Sequence, residues 1–126
     1  MEIAIKEIQD FLKSNETKLK FKKLVKKGYY YFDGLDKNQE SFYVNFESVK
    51  YPGKFNFKKI QISEVAELFN ASLKERIIKR SDFDKICKNT FKSGPCGFAV
   101  LINLLEQMGK GKYLGHGKGF EIKNNG

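Results

Sequence analysis

Tryptophan is absent from this 126-residue chain, histidine occurs once, and cysteine, proline and methionine occur twice each. Each shortage closes a route. A structural zinc takes about four side-chain ligands, whereas Cys87, Cys96 and His116 are too few and lie at no ligand spacing, so no metal or other cofactor is expected. Two cysteines make no disulfide framework, and both are expected as ordinary reduced, buried thiols. Long apolar runs are missing too. The best, Phe98 to Leu105, is interrupted by Asn103 and falls far short of the roughly 20 residues that span a bilayer. Glu2 and Glu7 stand where an export signal would place positive charge and then an apolar core, so the expected location is cytoplasmic, with no membrane partner. Arginine is the last shortage: only Arg76 and Arg80 among 24 basic residues. Because arginine makes the commonest bidentate contact to guanine, contacts to a nucleic-acid backbone are favoured over base reading.

Positive charge is what the chain has in excess. Lys and Arg outnumber Asp and Glu by 24 to 15, a formal charge of +9. Self-repulsion of this kind does nothing for a compact fold, so its use is to attract something negative. Two stretches concentrate it. Lys18, Lys20, Lys22, Lys23, Lys26 and Lys27 form a run without an acid, and Lys110, Lys112, Lys118 and Lys123 surround a glycine-rich C-terminal stretch. The apolar residues between the first group, Leu19, Phe21, Leu24 and Val25, can turn inward while the ammonium groups track phosphates or simply face solvent.

Changes of period organise the chain into one α+β domain, with a change of character near residue 62. Ala4, Ile5, Ile8, Phe11 and Leu12 recur at helical spacing and predict an amphipathic N-terminal helix ending near Ser14 and Asn15. Alternation and strand-favouring residues follow at Tyr29 to Phe32, at Phe42, Val44 and Phe46, and at Phe55, Phe57, Ile60 and Ile62. Turn residues separate them, which predicts a three-stranded antiparallel meander with Tyr30 and Tyr43 on its open face, where rings beside lysines could stack bases. Helices fill the second half. One is capped by Ser63, buries Val65, Leu68, Phe69, Leu73 and Ile77, and ends near Lys79 and Arg80. A short one opens at Ser81 to Asp84. A third, strongly apolar, runs from Gly97 to Met108, and Tyr113 to Ile122 predicts a β-hairpin around a basic tip.

Across Glu64 to Ile122, the order helix, short helix, turn, longer helix and glycine-tipped hairpin resembles a winged helix-turn-helix domain. The resemblance implies that Gly97 to Met108 enters the major groove and that Gly115 to Gly119, with His116 and Lys118, forms a wing against phosphate. Read from its own residues, Gly97 to Met108 serves equally as a central core helix, its polar residues Asn103, Glu106 and Gln107 forming one narrow stripe.

The expected function is nucleic-acid binding, to duplex DNA rather than RNA, in a regulatory or accessory role, by a monomer or homodimer. Lys18, Lys20, Lys22, Lys23, Lys26, Lys27, Arg76, Arg80, Lys110, Lys112, His116 and Lys118 would supply the contacts. A different reading is an inhibitor or adaptor whose basic face docks on an acidic protein surface. A third is a cysteine hydrolase: Cys96 heads a helix, where the dipole stabilises a thiolate, with His116 as its one imidazole partner. No catalytic residue is assigned on that basis. The Gly-Lys stretches do not fit a nucleotide-binding loop, which needs a lysine followed by Ser or Thr at a helix start.

Overall fold

The computed structural model describes residues 2–24, 27–91 and 96–123; the side chains of Phe91 and Cys96 lie outside the described set. Helix α1, Ile5–Asn15, is followed by strands β1, Lys20–Lys22, β2, Tyr29–Leu35, β3, Ser41–Glu47, and β4, Phe55–Gln61. The second half comprises α2, Ile62–Ala71, β5, Ile77–Ile78, α3, Arg80–Ile86, α4, Lys88–Phe91, α5, Cys96–Gln107, β6, Gly111–Tyr113, and β7, Phe120–Ile122. The α+β expectation is met. The described meander has four antiparallel strands in the order β1-β2-β3-β4, one more than alternation suggested, because the lysine run itself supplies the first.

That first strand follows from three residues. Lys20 and Lys22 face solvent while Phe21 is wholly buried, as the period of two requires. Phe21 packs at 5.9 Å between ring centroids on Phe42, which lies 5.9 Å from Phe32 in turn. Asp33 and Gly34, residue types that favour turns, lie within β2, where the pairing register shifts between Phe32 and Leu35. The turn itself is built by Asp36, whose Oδ1 accepts hydrogen bonds from the amides of Glu40 and Ser41.

Two helices depart from expectation at their ends. Ala4 caps α1 from an extended conformation and Ile5 is exposed, so Ile8 and Leu12 carry its burial, with Ile3 just ahead of it. Helix α2 begins at Ile62 without a side-chain cap and stops at Ala71. Arg76, at φ 61°, diverts the chain into the short strand β5, so Ile77 leaves the helical stripe. Its first-turn carboxylate caps a neighbour: Glu64 is buried and accepts from the amides of Asn89 at 2.9 Å and Thr90 at 2.8 Å, at the start of α4. In α3 the carboxylate of Asp82 accepts from the Lys79 amide at 2.9 Å.

Helix α5 is the centre of the molecule. Phe98, Ala99, Val100, Leu101, Ile102, Leu104 and Leu105 are all buried, and the helix packs on β1, β4, α4 and β6. Its polar stripe is occupied. Asn103 accepts from the Lys22 amide at 2.9 Å, Gln107 donates to the Lys20 carbonyl at 2.7 Å, and Glu106 accepts from the Tyr113 amide at 3.0 Å. One helix thereby ties the edge of the meander to the second sheet, whose order is β5-β7-β6. In that sheet, Gly111 leaves no room for a side chain: a Cβ there would collide with the Glu121 carbonyl and the Phe120 ring.

Candidate nucleic-acid interface

The lysine run is an edge strand and the loops either side of it. Lys18, Lys20, Lys22 and Lys27 are exposed and Lys23 is half-buried, while Lys26 lies outside the described residues. Two of these ammonium groups sit over rings: Lys20 at 4.1 Å from the Tyr29 centroid, and Lys23 at 5.3 Å from Tyr30 and 5.5 Å from Phe46.

The expected aromatic face is turned over at Tyr30. Tyr30 is buried and meets Phe46 edge-on, at 5.0 Å and 85°. Its neighbours in sequence, Tyr29 and Tyr31, are the exposed rings. Tyr43 does lie on the outer face, half-buried beneath Lys59, whose ammonium is 5.9 Å from the ring centroid. Sequence reasoning missed the two most open rings of the sheet, Phe55 and Phe57, which are 53% and 60% exposed. Both had been placed in the strand's buried alternation. The signal lay in the phase: Phe55 and Phe57 are out of step with Ile60, which is wholly buried, and face Glu47 and Asn45.

The C-terminal cluster divides. Lys110 is half-buried and ion-paired to Glu7, so its charge is already met. Lys112, on β6, and Arg76 line a cleft of about 720 Å³ together with Glu75 and Glu121, which offset them. His116 and Lys118 are exposed at the hairpin tip. His116 joins a different cleft, of about 330 Å³, lined also by Leu24, Lys79, Arg80, Phe98, Tyr113 and Gly119. Arg80 pairs with Asp84 at 3.4 Å, and its guanidinium lies 5.5 Å from the Phe98 centroid. Leu24, from within the lysine-rich segment, and the hairpin tip therefore share one cleft, whose cations are Lys79 and Arg80.

No protein-family model, curated protein or solved structure matches this chain. The site must speak for itself. Among the described side chains of α5, Phe98 to Ile102 are core, and the polar stripe of Asn103, Glu106 and Gln107 bonds to β1 and β6. The Cys96 thiol lies outside the described residues. Cys87 is a buried free thiol whose pKa is pushed up to about 12 by burial first, then by the carboxylates of Glu64 and Glu67, so it is no thiolate nucleophile. Among the described residues, no helix is long and apolar enough to cross a membrane.

Proposed function

We propose that this protein binds nucleic acid, duplex DNA foremost, through lysine-dominated contacts to the phosphate backbone. In this reading the C-terminal half acts as a winged-helix-like unit whose hairpin, and not its third helix, meets the DNA. The carrying observation is the cleft in which Lys79 and Arg80 face the hairpin residue His116, with Leu24, from within the lysine-rich segment, in its wall. A cluster of cations around a concave surface focuses an attractive field for a polyanion. The order α2, β5, α3, α4, α5, β6, β7 supports the winged-helix comparison, with α4 a single extra turn between α3 and α5 and β5 closing onto the hairpin through β7.

A salt titration with a fluorescently labelled duplex tests this. Backbone binding gives a linear fall of log K with log salt, with a slope of about −0.9 for each phosphate neutralised. Lys79→Gln combined with Lys118→Gln, at two exposed lysines, should flatten the slope by about 2, one for each lost cation. Absence of binding at low salt overturns the proposal.

A further inference from the structure

The open face of the four-stranded sheet carries a pattern that duplex binding does not require. Direct pairing sets Lys20 opposite Tyr31, Tyr31 opposite Asn45 and Asn45 opposite Phe57, one row across all four strands. A second row places Lys22 opposite Tyr29 and, on the far strands, Glu47 opposite Phe55. Tyr29, Tyr31, Phe55 and Phe57 are respectively 38%, 47%, 53% and 60% exposed. Burying large rings is worth about 1.5–3 kcal/mol each, so four left open on one face need an occupant.

We infer that this face binds single-stranded nucleic acid, with successive bases stacked on Tyr31 and Phe57 and the phosphates held by Lys20, Lys22 and Lys59. Several observations favour that occupant. The rings are flanked by lysines, Lys20 and Lys22 on β1 and Lys59 two residues from Phe57 on β4, with Asn45 between Tyr31 and Phe57, which suits a ligand that is flat and apolar in parts and anionic beside them. Tyr31 and Phe57 stand two strands apart, about 10 Å at the usual strand spacing, and Tyr29 and Tyr31 stand 6.5 Å apart along one strand. Asn45, between the two rings, offers an amide to base edges. The carboxylate of Glu47 lies at the margin of the face, in the second row. A second copy of the chain is disfavoured as occupant, because face-to-face docking would bring two lysine-bearing faces together on chains of charge +9 each.

The inference rests on nucleic acid being the ligand, and the test separates the two claims. Because the chain has no tryptophan, Phe57→Trp introduces a single reporter. Adding an oligothymidine of about a dozen nucleotides should quench its emission, whereas Val49→Trp, on the 77% exposed loop residue, should respond weakly. In anisotropy titrations, Tyr31→Ala with Phe57→Ala should weaken single-strand binding by about 5- to 150-fold per ring and leave duplex binding and the salt slope unchanged. Phe57→Trp should retain the affinity that Phe57→Ala loses. Both alanine changes are at exposed positions, and an unchanged melting curve confirms the fold. Binding without quenching, at an affinity the double variant retains, overturns the stacking face and leaves the duplex reading standing. No binding of either oligonucleotide at low salt overturns both. Dissociation of a dimer by the double variant, without loss of single-strand affinity, would instead identify the face as a contact between copies.

Discussion

Replacing Glu64 with Gln should destabilise the protein by about 3 kcal/mol, although the change alters one atom. The carboxylate is 6% exposed, and each oxygen accepts a backbone amide, Asn89 on Oε2 and Thr90 on Oε1. Glutamine keeps one carbonyl acceptor and turns an NH₂ group toward the other amide, so one of the two donors loses its acceptor and the surviving bond loses its charge assistance. A stranded buried donor costs about 1–3 kcal/mol, and a bond to a charged group is worth about 1.5–3 kcal/mol where a neutral one is worth about 1. The Thr90 side of the cap is the buried one: Thr90 is fully buried, with its hydroxyl accepting from the Gln61 amide at 3.1 Å, whereas Asn89 is exposed. Among the described residues, no buried side-chain nitrogen or oxygen lacks a partner, so the fold tolerates little slack of this kind. For a domain of this size, the loss should lower the melting temperature by about 10 °C. Thermal circular dichroism and urea titration of wild type and Glu64→Gln would measure it. A midpoint within about 2 °C of wild type would refute the capping role assigned to this carboxylate.

Two further predictions follow from particular groups. In a Cys96→Ser background, the Cys87 thiol should resist a disulfide reagent at pH 8 in the native protein and react fully in urea; fast native labelling would contradict its burial. Because its folded pKa is raised from 9.0 to about 12, the unfolded chain releases the proton first, and stability should fall as pH rises from about 9 toward 12, by up to about 1.4 kcal/mol per pH unit. Cys87→Ala should remove that component of the slope; identical pH profiles would count against it. Finally, Lys110→Gln should leave the salt dependence of DNA binding unchanged, because Glu7 already holds that ammonium, whereas Lys118→Gln should reduce its slope by about 1. Equal effects would show that the ion pair opens on binding.

Helix α5 and the terminal hairpin were legible because long apolar runs and glycine-rich tips are strong local signals. The phase of Tyr29-Tyr30-Tyr31-Phe32 was not, since four consecutive aromatic residues give alternation no contrast, and a slip of one residue exchanges the faces. Pairing decided it: Tyr30 lies opposite Phe21 and Tyr31 opposite Lys20. Strand β1 is three residues and β5 is two, too short for any periodicity. The end of α2 was obscured because Leu73 and Ile77 continue the helical spacing past the turn that Arg76 makes at positive φ. At the site, charge predicted which residues are cationic but could not foresee that Glu7, far away in sequence, engages Lys110.

The polar stripe of α5 has a consequence for self-association. A sheet that ends in an unpaired strand offers its edge amides and carbonyls to any passing extended chain, and such edges seed strand-exchanged dimers and fibrils. At β1 the Lys22 amide and the Lys20 carbonyl are instead saturated by Asn103 and Gln107, side chains that cannot continue a ladder. The same edge bears two lysines facing solvent. The helix thus acts as a stopper at that end of the meander, and a sheet with four aromatic rings open on one face is kept from growing into a neighbour along β1.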